Sequence, residues 1–362
     1  MPSLRTNVKN RSGRVFFLPE RFVMLLLLMA LLLSACGELS SAPSPEPTAA
    51  IVPSLAPSPS PPPSVAPAPT SSQKPTPTPS PSPVPSPSPS PAPMPAPGEG
   101  FLPSEDGLWW KLEDGTLTIA GAGDMADYRA SHSLSPWLTQ SEPIRALVVE
   151  EGVTSIGAYA FYSCVHLRRV QLPESLQSIG DSAFAYCIAL EALSLPEGLS
   201  RIGPSAFGSC VALSRLSLPE SLVTVGDYAF HHCSSLRALT LPNGVEELGA
   251  YAFFNCSRLS GLTLPSGLRR IGPYAFRACL RLSSLSLPEG VTLVPEGLCY
   301  ECAALTSLHL PASLQEVGDL AFYRCTALRE LSFGGSEAQW QAISLGSHCE
   351  ALLSADLSYD QA

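Results

Sequence analysis

The chain has 362 residues, 45% of them hydrophobic, and carries 31 acidic against 21 basic residues for a formal charge of −10. No basic stripe lies beyond its first 21 residues, which excludes nucleic acid as a partner class. The roughly 260 residues after a proline-rich stretch suffice for one long repeat domain, built by stacking rather than around a single globular core.

Arg5, Lys9, Arg11, Arg14 and Arg21 precede an apolar stretch from Phe22 to Leu33, too short for the about 20 residues of a membrane-spanning helix. A cationic start followed by a short apolar run is the pattern of an export signal. The run closes on Leu33-Ser34-Ala35-Cys36, with Gly37 next. This ending resembles the lipobox of bacterial lipoproteins. The resemblance implies thioether diacylation of Cys36, removal of residues 1–35 as a signal peptide, and attachment of the exported chain to the bacterial membrane through that lipid, with the repeat domain extracellular. An uncleaved hydrophobic anchor and an ordinary signal with a chance cysteine are the other readings. Without the leader, 16 basic and 30 acidic residues remain, a net charge of −14.

Residues 36–99 form the expected linker. From 42 to 98 the composition is dominated by Pro, Ser, Ala and Thr, as in Pro79-Ser80-Pro81-Ser82-Pro83. Such a segment lacks apolar bulk for a core and repeatedly lacks an amide donor, so it is predicted to be disordered in extended polyproline II form. At about 3.1 Å per residue it spans on the order of 180 Å when straight, a spacer that sets the domain away from the membrane. Use as a docking site for proline-recognition domains is the weaker reading, since those partners are mostly intracellular.

Residues 100–143 are the expected N-terminal cap. Leu108-Trp109-Trp110-Lys111-Leu112 and Leu117-Thr118-Ile119 flank Asp114-Gly115, a hairpin signature, and Trp137 is expected to pack beside it. From 144 to 333 one phrase recurs. Cysteine returns every 23 residues at Cys164, Cys187, Cys210, Cys233, Cys256, Cys279, Cys302 and Cys325, with Ser141 in its place at the start. Around Cys187 stand Ile179-Gly180, Ala183-Phe184, Leu190 and Leu193-Ser194-Leu195-Pro196.

Leu193, Ser194 and Leu195 alternate as a short strand requires, and Pro196 stops it. Residues 181–187 are predicted to be a short helical turn capped by Asp181, with Ala183, Phe184 and Cys187 inward. The recurrent glycine, as at Gly203, is assigned to a tight turn or a positive backbone angle. Stacked coils align Phe161, Phe184, Phe207, Phe230, Phe253, Phe276 and Phe322 into one ladder and Leu167 through Leu328 into another, at the spacing of about 4.8 Å between parallel strands. In residues 334–362, the C-terminal cap, Phe333-Gly334-Gly335 breaks the phrase, and Trp340, Ile343 and Leu352 are placed to seal the last coil.

The predicted fold is therefore an α/β repeat: a leucine-rich repeat solenoid of 23-residue coils, with short parallel strands on one side, short helical or 3-10 turns on the other, and a β-hairpin-like N-terminal cap. The phrase Leu-Pro-x-x-Leu-x-x-Ile-Gly-x-x-Ala-Phe-x-x-Cys-x-x-Leu resembles the BspA-type leucine-rich repeat of bacterial surface proteins over about residues 144 to 333. The flanks, Asp114-Gly115-Thr116-Leu117-Thr118-Ile119 and Gly335-Ser336-Glu337-Ala338-Gln339-Trp340, resemble that family too. The resemblance implies a cell-surface protein, and some members of the family bind host or matrix proteins.

An exported chain with eleven cysteines ordinarily suggests disulfides. Ladder thiols on parallel rungs, however, are held about 4.8 Å apart, wider than the about 3.8 Å between β-carbons of a disulfide. They are expected to be free, buried core residues. Cys299 takes a phenylalanine position and is read as a core substitution rather than as half of a redox Cys299-x-x-Cys302 pair. Cys349, in the terminal segment, is expected to be an exposed thiol. His231-His232-Cys233 superficially suggests metal ligation, but Cys233 belongs to the inward ladder, so no metal and no cofactor are expected.

Catalysis needs a convergent acid, base or nucleophile, and repetition is offered instead, so the chain is read as no enzyme. Outward strand positions carry Gln171, Ser194, Ser217, Thr240, Thr263, Ser286, His309 and Ser332. Beside them stand Arg168, Arg169, Glu191, Arg215, Arg237, Arg329 and Glu330. From this strip Arg168, Arg169, Gln171, Ser194, Arg215, Arg237, Thr240, Thr263, His309 and Arg329 are candidate ligand-binding residues, although small hydroxyls there also serve strand propensity and solvation. On the turn side Tyr162, Tyr186, His231, His232, Phe254, Tyr300 and Tyr323 project outward as a second candidate surface. The expected function is binding of a protein or extracellular polymer, with a host or matrix protein foremost. A structural envelope protein that associates with itself or with wall polymer is the first rival, and an envelope sensor or enzyme the second.

Overall fold

The computed structural model describes residues 98–129 and 134–360, and the backbone of Val8–Lys9 and Val15–Phe16, which pair antiparallel. The chain divides into a unit of residues 1–85 and a unit of residues 86–362. The expectations for the leader, Cys36 and nearly all of the linker lie outside the described residues. Among the described residues no helix is long and apolar enough to cross a membrane.

Beyond an antiparallel start at residues 102–120 the strands pair in parallel as a solenoid whose rungs repeat every 23 residues, as in Ala192↔Arg215, Leu193↔Leu216 and Ser194↔Ser217. The hairpin Trp109–Glu113/Thr116–Ala120 turns at Asp114 and Gly115, both with positive φ, the backbone that a two-residue type I′ turn demands. Its second strand pairs in parallel with Ala146–Val149, so the cap continues the first row of coils.

Each coil has a second row of strands that the sequence reading did not anticipate. Gly123–Asp124, Val153–Ile156, Ser178–Ile179, Arg201–Ile202, Thr224–Val225, Glu247–Leu248 and Arg270–Ile271 form one seven-stranded parallel sheet. Most of these strands have only two residues, too few to display a period of two in sequence. That row breaks once, between Ile271 and Leu293, and the first row is divided further, with interruptions between Gln171 and Ala192, between Ser217 and Ala238, and between Thr263 and Ser284. Leu216, Leu218, Leu262 and Leu264, beside two of these breaks, are half-buried, whereas Leu193, Leu195, Leu239 and Leu241 are buried.

The turn side differs from the helical turn expected at 181–187. Ala183 N–H bonds Gly180 O and Ala185 N–H bonds Ser182 O, but the intervening amides reach into the next coil: Ser182 to Pro204 O, Phe184 to Ala206 O and Tyr186 to Gly208 O. Alternate donors thus zip neighbouring coils together, which a continuous helix cannot do. The zipper needs two left-handed residues in each coil, here Ser182 (φ 52°) and Tyr186 (φ 62°). Asp181 does not cap a helix. The equivalent Asp227 accepts the N–H of Ala250 one coil on, and Asp181 has no such donor because Pro204 stands there.

The phenylalanine ladder is continuous from Phe161 to Phe276 and is interrupted by Cys299 before Phe322. Phe184, Phe207, Phe230 and Phe253 stack at ring distances of 5.3 Å, within 7° of parallel, and Trp137 tops the column 5.6 Å from Phe161. Trp137 is 1% exposed, and its indole N–H donates to Ala160 O. At the far end Trp340 packs 5.5 Å from Phe333, with Ile343 and Leu352 buried beneath, and Ser336 and Gln339 form a capping box on the helix Glu337–Gln341. Beyond these seals a further strand, Asp356–Tyr359, extends the first row.

Ten cysteines lie among the described residues, each buried and outside any disulfide. Each ladder thiol from Cys187 to Cys302 donates to the carbonyl of a phenylalanine in the preceding coil, at 3.1 to 3.4 Å. The same carbonyls already accept a turn N–H, as Phe184 O does from Cys187 N, so the thiol fills a second lone pair that a purely apolar side chain leaves empty. Cys299 is buried in the phenylalanine column, and Cys325 donates to its carbonyl. Cys349 corrects the sequence reading: it is 5% exposed, because the short helix Glu350–Leu353 folds its thiol under the last coil.

Burial pushes the thiols of Cys187, Cys233, Cys279 and Cys299 well above their ordinary value near 9, and those of Cys210 and Cys256 to about 12. A thiol with a raised folded-state pKa contributes its full stability below the unfolded value and loses it as pH climbs toward the folded one. The urea midpoint is therefore expected to fall from about pH 9 upward, each such thiol costing up to about 1.4 kcal/mol per pH unit. Cys233→Ala is expected to shallow that slope. A flat midpoint between pH 8 and 10.5 contradicts the burial argument.

Candidate binding surfaces

Two faces of the solenoid are open to a partner. On the first-row face the structure keeps Arg168, Arg169, Gln171, Ser194, Arg215, Arg237, Thr240, Thr263 and Arg329 exposed, while His309 is half-buried with Nδ1 2.9 Å from Ser332 Oγ. It does not gather them into one site. Arg168 and Arg169 lie at one end and Arg329 at the other, and the intervening coils from Ser260 to Thr306 present mostly small hydroxyls and Gly261. Arg215 and Arg237 share a shallow groove of about 530 Å³ with the candidate Ser194, lined also by Ala192, Leu216 and Ala238 at the second break in the row.

On the turn side the rings do meet. Tyr228 stacks on Tyr251 at 4.7 Å and 3°, and Tyr251 on Tyr274 at 4.9 Å and 10°. The run continues through Tyr300 and Tyr323 to His348, with ring distances of 6.3, 5.3 and 5.4 Å. A second file joins it: His231 to His232 at 5.4 Å and His232 to Phe254 at 5.0 Å. A separate cluster holds Tyr159, Tyr162 and Tyr186.

The backbone aims these rings. Tyr228, Tyr251 and Tyr274 all sit at a left-handed position, with φ of 57°, 56° and 58°, a conformation costing roughly 1–2 kcal/mol in an L-residue. Ring stacking, worth about 0.5–1.5 kcal/mol per pair, offsets much of it. The sequence reading named Tyr300, Tyr323 and Phe254 but missed Tyr228, Tyr251 and Tyr274. The available signal was the Tyr-Ala-Phe that recurs at Tyr159, Tyr228, Tyr251 and Tyr274.

The ridge already holds cations of its own chain. The Arg277 guanidinium lies 4.6 Å from the Tyr300 ring centre, 5.4 Å from Phe254 and 5.8 Å from Tyr274, and Arg324 lies 5.5 Å from Tyr323. Glu301 bonds Arg324 at 2.8 Å and approaches Arg277 at 3.9 Å. The Tyr274 hydroxyl donates to Glu296, and this bond, aided by burial, raises its pKa to about 12. His231 Nδ1 lies 2.7 Å from Tyr228 O, while Cys233 points into the core, so these two and His232 do not converge. Burial lowers the pKa of both histidines. Among the described residues no group of three or more His, Cys, Asp or Glu is placed to hold a metal.

Parallel coils of 23 residues with inward leucine, phenylalanine and cysteine ladders define a leucine-rich repeat solenoid. The model of the BspA type leucine rich repeat region matches residues 138–257 and 200–329 in six copies, more than half of the chain; the chain belongs to this family. Similar solved structures include a leucine-rich repeat protein from Bacteroides ovatus ATCC 8483, with 20% identity, a TM-score of 0.45, and coverage of 67% of this chain and 78% of that one. The T. pallidum leucine rich repeat protein has 26% identity, a TM-score of 0.41 and coverage of 52% and 90%. A leucine rich cell surface protein from Faecalibacterium prausnitzii A2-165 has 20% identity, a TM-score of 0.28 and coverage of 67% and 97%. A comparison with curated proteins gave no match.

Proposed function

We propose that this chain is a bacterial surface lipoprotein, anchored through Cys36, whose repeat domain binds another protein, such as a host or matrix protein, through the turn-side aromatic ridge. The observation that carries the reading is the unbroken series of ring contacts from Tyr228 to His348. Aromatic side chains dominate binding hot spots, and rings already fixed by their neighbours lose little further freedom on binding. The family consists of repeat scaffolds, and among the described residues no acid, base and nucleophile converge on either face to favour chemistry.

The test is capture from surface and matrix extracts by the full chain and by variants of each face. Tyr251→Ser with Tyr300→Ser is expected to lose at least about tenfold in affinity for a captured protein, while Arg215→Glu with Arg237→Glu retains it. The opposite pattern moves the site to the strand face, and retention by purified wall material alone replaces the protein partner with a polymer. Cys36→Ala is expected to abolish incorporation of labelled acyl chains and to release the protein from membranes; persistence of either overturns the anchor.

A further inference from the structure

The stack of Tyr228, Tyr251 and Tyr274 has unequal ends. At the Tyr274 end Arg277 lies over the rings and fills the cation position. At the Tyr228 end the two preceding coils carry Ser182 and Ser205 at the same left-handed position, so no further ring covers the outer face of Tyr228. Tyr228 is 39% exposed, with one face on Tyr251 and the His231 ring 5.6 Å away and almost perpendicular to it. The carboxylates of Asp181 and Asp227 are exposed in this same stretch of the turn side.

We infer that the partner is a basic polypeptide, and that it places a guanidinium or ammonium group on the open face of Tyr228, reproducing in trans the arrangement that Arg277 makes in cis. This rests on the ridge being the binding face. The electron-rich face of a tyrosine attracts cations, and stacking on Tyr251 holds that face in place. The charge balance agrees: residues 98–362 carry 28 acidic against 15 basic side chains, so the domain attracts basic partners and repels acidic ones.

The experiment measures binding of the full chain to a synthetic arginine-glycine repeat peptide and to the same peptide with citrulline for arginine, which keeps the planar shape but removes the charge and puts an accepting carbonyl in place of one donating NH2 group. The arginine peptide is expected to bind and the citrulline peptide not. Tyr228→Phe keeps the ring and is expected to bind within about twofold of the parent; Tyr228→Leu keeps apolar area but loses the ring, and is expected to bind about five- to thirtyfold more weakly. Neither substitution changes net charge. Equal binding of Tyr228→Leu and the parent makes the attraction one of net charge alone and overturns the inference, as does equal binding of the citrulline peptide. If capture from extracts depends on Tyr251 and Tyr300 while the arginine peptide fails to bind, the ridge stands as the binding face and the basic partner falls.

Discussion

Phe230→Ala is expected to cost about 3–5 kcal/mol, a large part of the 5–15 kcal/mol by which domains are usually stable. Its ring lies 5.3 Å from both Phe207 and Phe253 and is wholly buried, so truncation leaves a void between two rungs whose spacing is held by backbone bonds. The void cannot collapse without breaking the bonds from Phe207 N to Ala229 O and from Phe230 N to Ala252 O. Because each coil contacts only its neighbours, the loss is also expected to uncouple the two flanks of the solenoid, giving two urea transitions where the parent has one. Hydrogen exchange that accelerates first in the coils around 207–253 is the accompanying signature. A cost below about 1.5 kcal/mol shows that the column is not the main source of packing energy.

Gly249→Ala is the second large effect, and it separates close approach from backbone angle. The sequence reading assigned the recurrent glycine to a tight turn or a positive φ. None of Gly203, Gly226 or Gly249 has a positive φ; instead, a β-carbon on Gly249 falls 2.4 Å from both Asp227 N and Gly226 C of the preceding coil. Those atoms are backbone, so the coils must separate to admit a methyl group, and destabilisation of at least about 2 kcal/mol is expected in urea denaturation. Gly261→Ala is the control. Its nearest neighbour is the Ala238 side chain at 3.7 Å, and the substitution is expected to be neutral or to stabilise by up to about 1 kcal/mol through the unfolded chain. Similar costs at the two positions contradict the packing account.

Legibility followed the number of times a feature was repeated. The inward ladders could be read because Phe184, Cys187 and Leu190 recur at constant spacing in coil after coil, and one residue type at one phase is enough to mark the inside. Strand pairs such as Ser178–Ile179 could not be read, since two residues show no alternation and gain their structure only from the rungs on either side. The left-handed positions were also hidden. Ser182, Tyr228, Leu320 and Gly297 all occupy the first of them, so composition carries no signal for a conformation that the inter-coil zipper imposes. Cys349 was misplaced for a related reason: it lies outside the period, and its burial depends on how a short helix folds back.

The binding surface divided in the same way. Outward residues were recognisable once the inward ones were known, and on the strand face this produced a strip of arginines that the fold leaves dispersed. On the turn side the reverse occurred: the outward rings named there fall into a cluster around Tyr162 and Tyr186 and a continuous ridge from Tyr228 to His348. Sequence by itself determined the period, the identity of the buried ladders, the Trp137 and Trp340 seals and the outward set, because those depend only on position within a repeated phrase. The tertiary structure alone decided that each coil has a second row of strands, that glycine is needed for close approach, and that Tyr228, Tyr251 and Tyr274 stack with one face left open. Each of these is a relation between neighbouring coils, set by backbone bonds that hold rungs about 4.8 Å apart, and no single coil's sequence contains it.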